Sequence, residues 1–362
     1  MKSFVLHLRR LDWTAIGASL ALALIGLLSI YSSSVGKGDF LNFKKQLVFF
    51  VTGFLLMIIV SSFNWRALRE DSYLIVFLYA FCLILLGGLF IFAKAIRGVK
   101  SWYDLGFFNF DPTEFTKIVL IIILAKYFSV RHIEMYRIRH ILLSGMYVLL
   151  PSLLIFFQPD LGSVLILIAL WMGILVISGI PLRHFLILIF CFVLIFIFSW
   201  GLVFKDYQKQ RILNVFHPIE PLGVSWSQNQ SEIAIGSGGV FGQGIGKGSQ
   251  TQYGFLPEPQ TDFIFASIAE ETGLIGVSVL FILFSILIWR IMKIAISAES
   301  NFPRLFATGL AILLVSQIFI NVGMNIGILP VIGIPLPLIS YGGSSLISVF
   351  LSLGLLQSLK TH

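Results

Sequence analysis

Charge is scarce in this 362-residue sequence: only 12% of its residues are Asp, Glu, Lys or Arg, while 57% are hydrophobic. A soluble domain of this length has no use for so much apolar surface, and repeated apolar runs of about 20 residues mark a polytopic membrane protein. The runs are continuous and do not alternate, so they read as helices and exclude barrel strands. Cysteine is equally rare. Cys82 and Cys191 fall in separate apolar runs, which leaves no disulfide or metal framework and makes both small buried hydrophobes. The six histidines show no metal-ligand spacing. No small-residue cleavage site follows the first apolar run, and more spans come after it, so it reads as a retained helix and not a signal peptide.

What is present is an all-α polytopic membrane protein, a single domain over 1–362 with about ten transmembrane helices. The spans are expected near 13–34, 44–62, 73–95, 112–129, 142–158, 161–180, 184–204, 262–296, 304–328 and 338–359, the fifth being the shortest. An even number puts both termini on one side. With that side cytoplasmic, fourteen Lys and Arg lie in inner segments and ten in outer ones. Four of those ten fall in one loop, 205–261, too long for the orientation rule, leaving fourteen against six. The net charge of +8 thus sits in the connections between spans, where it sets topology and meets lipid headgroups; nucleic acid is not an expected partner.

The loop 205–261, between the seventh and eighth spans, is the one large extracytoplasmic segment. Its glycine-rich middle, Ile235 to Ser249, is not a phosphate-binding P-loop: Gly246-Lys247 is followed by Gly248, and Phe241 occupies the leading glycine position. The loop runs through Phe255-Leu-Pro-Glu-Pro-Gln-Thr-Asp262 straight into an apolar helix. That places the Asp262 carboxylate at the lip of a membrane span, where ionisable groups are costly and by default functional. The plain alternative is a helix start, with Thr261 as cap and Asp262 complementing the dipole.

Two more polar clusters sit at outer helix ends. Asp111-Pro-Thr-Glu114 has the form of a capping box, yet Glu114 and Lys117 share a helical face and can pair. Gln158-Pro-Asp160-Leu-Gly162 makes a tight turn. Glu270 and Glu271, two turns into the eighth span, either meet a basic group or line a polar cavity. Asn229-Gln-Ser231 matches a glycosylation sequon, and Gly323-x-x-x-Gly327 reads as a helix-packing face.

Six motifs in order carry a resemblance over nearly the whole chain: Arg97 to Trp102, Pro112 to Lys117, Gln158 to Gly162, Ala234 to Gly239, Leu256 to Ala266 and Leu336 to Ser345. The chain resembles the SEDS family (shape, elongation, division and sporulation). Leu8 to Trp13, Lys205 to Ile212 and Asn325 to Pro337 look like its elongation branch more than its septal branch. Asp111 stands where the family pattern has Gln, and Gln260 where His is common.

The resemblance implies a peptidoglycan glycosyltransferase that polymerises lipid II on the outer face of the bacterial plasma membrane. It also implies a class B penicillin-binding protein as crosslinking partner, together with elongation-complex membrane proteins. Joining a 4-hydroxyl to the anomeric carbon of a lipid-pyrophosphate donor with inversion needs one base, not the paired carboxylates of a glycosidase. Asp262 is the expected base. Arg97, Lys100, Lys117, Arg211 and Lys247 are candidate cations for pyrophosphate, a divalent ion (Mg or Mn) is a candidate helper, and no dedicated metal ligands are visible. Glu114, Lys117 and Asp160 are expected to form an internal ion network, with Trp102 nearby in the outer loop. The rival readings are a lipid II flippase, for which broken helices and midplane charges would speak, a non-catalytic scaffold, and a septal polymerase.

Overall fold

The computed structural model describes residues 9–63, 66, 71–93, 101–131, 138–202, 204, 206–216 and 226–361. In chain order their helices are α1 (Trp13–Lys37), α2 (Leu41–Ser61), α3 (Ser72–Phe92), α4 (Pro112–Arg131), α5 (Ile138–Phe157), α6 (Leu161–Ile177), α7 (Leu182–Leu202), α8 (Asp206–Phe216), α9 (Trp226–Gly238), α10 (Ser249–Gln252), α11 (Ile264–Ser297), α12 (Asn301–Asn325) and α13 (Gly343–Thr361). A two-residue antiparallel ribbon, β1 (Tyr103–Asp104) and β2 (Asn109–Phe110), leads into α4.

Each of the ten expected spans is a helix, and eight are long and apolar enough to cross a membrane on their own. The other two are α4, whose first turns carry Glu114 and Lys117, and α6, with only 17 residues. The sixth span is therefore the short one; the fifth, with 20 residues, is not. The 205–261 segment is also more ordered than a loop, since α8, α9 and α10 lie within it.

Burial separates the spans into centre and rim. α12 packs against α11, α4 and α6, and α13 packs against α2 and α4. α7 buries none of its residues, so Cys191 is exposed on its surface, contrary to the sequence reading; Cys82 is buried as expected. A helix apolar on all sides tolerates this only against lipid.

The expected continuous eighth span is broken. Gly273 in α11 takes φ 64° and ψ −163°, which interrupts the helical ladder and suits glycine. The freed groups are not lost: Gln243 and Gly244 N–H donate to the Glu270 and Glu271 carbonyls at 2.9 and 3.0 Å. In return Leu274 and Ile275 N–H donate to Gly239 and Val240 at 3.0 and 3.2 Å. Residues 274–297 alone span roughly 36 Å, enough for about 30 Å of hydrocarbon. Leu274, Ile275, Val279 and Ile282 in that stretch are exposed, whereas Phe263 to Glu271 are all buried. Asp262 thus begins a half-helix enclosed by protein, not the lipid-facing end of a span. Non-helical backbone of this kind persists where protein surrounds it. A broken helix was expected of a transporter, so helix continuity does not separate the enzyme from that rival.

Candidate active site

Thr261, Asp262 and Phe263 form a turn ahead of α11. The expected Thr261 cap is not filled. Phe263 occupies the N-cap with no side-chain hydrogen bond, and the Thr261 hydroxyl donates instead to the Glu258 carbonyl at 3.5 Å. What fixes the turn comes from elsewhere in the chain. The Asp262 main-chain carbonyl accepts from Asn321 Nδ2 at 3.1 Å and Asn325 Nδ2 at 3.0 Å, both side chains being fully buried on α12. Asn321 also donates to the Ile334 carbonyl at 2.7 Å, and the Asn325 side-chain oxygen accepts from Ala266 N–H at 3.2 Å. The Ser340 hydroxyl donates to the Thr261 carbonyl at 2.7 Å, and Tyr341 N–H to the Gln260 carbonyl at 2.7 Å.

With its backbone held this way, the half-buried Asp262 side chain turns toward the 331–334 loop, where a Cβ added at Gly333 would lie 3.7 Å from Oδ2. Two other predicted elements reach the same loop. Arg211, exposed on α8, donates from Nη1 to the Val331 carbonyl at 3.3 Å. Gly162, which follows Asp160 at the start of α6, lies so close that a Cβ there would come within 2.9 Å of the Ile332 carbonyl. The loop therefore brings together Asp262, Arg211 and the Gln158–Gly162 motif, which are distant in sequence.

The substitution Gln260 leaves no gap. Its Oε1 accepts from Asn42 at 2.8 Å and its Nε2 donates to Ser34 at 3.2 Å. The sequon is occupied structurally: Ser231 is fully buried and its hydroxyl donates to the Asn325 carbonyl at 2.8 Å. Gly323 and Gly327 do not make a packing face, because α12 ends at Asn325 and Gly327 lies in the following turn at φ 80°.

The second cluster is an ion pair and not a capping box. Lys117 Nζ lies 2.8 Å from Glu114 Oε1, and both side chains are buried inside the bundle. Glu114 does not reach back to the Asp111 N–H, which donates instead to the Ser344 hydroxyl at 2.9 Å. Asp111 itself caps α4 through Thr113 N–H at 2.8 Å. Burial pushes the Asp111 carboxyl up to about 7; the Glu114 and Asp160 carboxylates push it the same way and the Lys117 ammonium opposes them. Asp160 caps α6 through Ser163 N–H at 3.0 Å, and its charge is felt at both Asp111 and Lys117. These four groups make one network, and Lys117 is absorbed in it. Trp102, half-buried, precedes the ribbon that leads to Asp111.

Among the described residues, the hydrogen-bond partners of Glu270 and Glu271 are N–H and O–H donors and not cations. Glu270 Oε1 accepts from Gln250 N–H at 2.6 Å and Ser249 hydroxyl at 3.3 Å; Oε2 accepts from Thr251 N–H at 3.1 Å and Thr251 hydroxyl at 2.7 Å. It is in effect the missing N-cap of α10, whose own cap residue, Gly248, has no side chain. Glu271 accepts from Ser32 at 2.5 Å, Gly246 N–H at 3.3 Å and Gln252 at 3.4 Å. The two carboxylates clamp the glycine-rich loop, Lys247 included, onto α1 and α11.

Arg97 and Lys100 lie outside the described residues. Among the described residues no three His, Cys, Asp or Glu are grouped to hold a metal ion. The sequence reading missed Asn321, Asn325 and Ser340 as site residues. The signal was there: Gln317, Asn321 and Asn325 set three amides at four-residue spacing on one face of a mostly apolar helix.

Residues 12–362 match the family model of FtsW, RodA and SpoVE, a cell cycle protein family. The chain is 36% identical over 356 residues to the peptidoglycan glycosyltransferase MrdB of Escherichia coli K12, covering 97% of this chain and 94% of that one. Its structure is similar to a chain of a peptidoglycan synthase complex that coordinates polymerization and crosslinking, with a TM-score of 0.82, 30% identity and 97% of both chains covered. It is also similar to the rod shape determining protein RodA of Thermus thermophilus, with a TM-score of 0.72 and 28% identity, covering 97% of this chain and 96% of that one.

Proposed function

Because the chain belongs to the FtsW, RodA and SpoVE family, we propose that Asp262 is the general base of its reaction. The chain is a multi-pass membrane protein and a peptidoglycan glycosyltransferase that polymerises lipid II. The chemistry asks for one carboxylate that takes the proton from the acceptor 4-hydroxyl as that oxygen bonds the donor's anomeric carbon. The bond from that carbon to undecaprenyl pyrophosphate breaks, and the leaving group carries away the electron pair. A positioned base contributes about 10²–10⁴-fold to such a step.

The observation that carries the assignment is the double amide lock. Asn321 and Asn325 fix the Asp262 backbone while its side chain, half-buried, faces the 331–334 loop. A catalytic group needs a fixed position with an accessible reacting atom. Arg211, at the same loop, is the cation within the described residues best placed to meet a lipid pyrophosphate, and Arg97 and Lys100 join it in the role. Glu114, Lys117 and Asp160 support the site without touching the sugar, and Trp102 is assigned the same supporting role.

Catalysis then faces outward across the plasma membrane with both termini cytoplasmic, and the crosslinking partner is a class B penicillin-binding protein. The elongation branch is favoured over the septal one by the sequence stretches Leu8 to Trp13, Lys205 to Ile212 and Asn325 to Pro337. The test is polymerisation of labelled lipid II by the purified chain with its cognate partner, beside Asp262→Asn. The variant is expected to lose about 10²–10⁴-fold in rate, with partner binding and thermal midpoint retained. Equal product from both would remove Asp262 from the mechanism.

A further inference from the structure

A second polar site lies at the opposite end of the bundle. There the start of α1, the ends of α11 and α13 and the start of α12 enclose a cavity of about 540 Å³. Among the described residues, six charged side chains line it: Asp12, Arg66, Arg290, Lys293, Glu299 and Lys360. Four cations against two carboxylates leave two positive charges in excess. Asp12 is buried and already committed, since Arg290 reaches it from Nε at 3.0 Å and from Nη2 at 2.5 Å, and Lys360 at 3.3 Å. Burial alone would raise its carboxyl, but the Arg290 hydrogen bonds, the Ala15 N–H and the Lys360 charge bring it below the usual range, so it stays ionised and holds its two partners in place. Lys293, exposed at the rim one turn beyond Arg290, is not consumed by this pair.

The depth of the cavity is marked independently. Trp289 and Ile296, about two turns apart on α11, are 70% and 77% exposed, and Trp13, beside Asp12, is 54% exposed. Exposed tryptophans near helix ends belong at headgroup level. Basic pockets between helix ends at that depth suit anionic headgroups. Its volume is in the range of small-ligand sites.

We propose that this cavity binds the phosphate of an anionic glycerophospholipid, with Lys293 and Arg66 contacting the headgroup and the Asp12–Arg290–Lys360 cluster forming its floor. Bound there, one lipid bridges α1, α11, α12 and α13. The site is remote in sequence from Asp262 and does not depend on the catalytic assignment.

The test is native mass spectrometry of the purified full chain titrated with phosphatidylglycerol or with phosphatidylcholine of the same acyl chains. Wild type is expected to bind phosphatidylglycerol more tightly by at least about tenfold. Lys293→Gln with Arg66→Gln is expected to weaken it by about 25-fold, about fivefold for each charge removed, leaving phosphatidylcholine unchanged. Lys293→Arg with Arg66→Lys, which keeps both charges, should restore binding; equal thermal midpoints verify folding. Equal affinity for the two lipids in wild type, or unchanged phosphatidylglycerol binding in the double Gln variant, would overturn the proposal. Displacement of the lipid by inorganic phosphate at equal concentration would also overturn it, since the site would then take the free ion and not the lipid.

Discussion

Asp262 and the Glu270–Glu271 pair sit on one short stretch of chain, yet the fold treats them in opposite ways. The Glu270 carboxylate is filled by four donors from Ser249, Gln250 and Thr251, and Glu271 by three from Ser32, Gly246 and Gln252. At Asp262 the fold grips the main chain, through Asn321 and Asn325, and leaves the side chain half-buried beside the 331–334 loop. The difference teaches how to read an acid in a membrane protein. Cost alone marks all three as functional, but a buried carboxylate surrounded by N–H and O–H donors is structural cement. At Asp262 it is the main chain that the fold grips, through Asn321 and Asn325, which is the arrangement on which the general-base proposal rests.

Three substitutions press on that comparison, in decreasing order of expected effect. Lys117→Met strands the buried Glu114 charge without its partner and should destabilise the protein by about 3–5 kcal/mol, read as a lower thermal midpoint in detergent. Adding Glu114→Gln should recover much of that loss, which would mark the pair as structural. Glu270→Ala removes the acceptor for two backbone N–H groups and should cost about 2–3 kcal/mol, with faster proteolysis of the 243–252 loop. If Glu270→Ala instead abolished polymerisation with the loop still protected, the distinction between the two acids would collapse.

The smallest effect is at Asp111. Its folded-state pKa is raised to about 7 from the ordinary 3.8, so the folded chain keeps a proton that the unfolded chain releases. Stability attributable to this group therefore falls as pH rises from about 4 to about 7 and is level above that. Asp111→Asn retains the cap on α4 and should flatten that slope, raising the thermal midpoint at pH 8 relative to wild type and leaving it nearly unchanged at low pH. A slope unaltered by the substitution would place the titration elsewhere in the network.

Much of the architecture was legible in the sequence because hydrocarbon allows so few backbone solutions. Runs of apolar residues had to be helices, and all ten were. The Glu114–Lys117 pair was legible from i, i+3 spacing on a helix whose start was marked by Asp111 and Pro112. The errors share a cause. Gly323-x-x-x-Gly327 has the letters of a packing face, but the helix stops at Asn325, and where a helix ends depends on what receives its last carbonyls. Cys191 lies in an apolar run like Cys82, and only the rim position of α7, which buries none of its residues, exposes it. The break at Gly273 gave no sign, since glycine is common in membrane helices and nothing local says that residues 239–244 will exchange hydrogen bonds with it.

What the sequence by itself determined is the set of long apolar elements: the ten membrane-spanning helices, the polar segments that join them, and the identity of the acids and bases at their ends. Those follow from local composition, because each apolar stretch must satisfy its own backbone wherever it sits in lipid. Only the tertiary structure decided how each of these acids is held. At Asp262 the hold rests on two asparagines some sixty residues away and on a loop that meets Asp262, Gly162 and Arg211 together. Contacts across such separations are set by how whole helices pack, and no local pattern of residues encodes them.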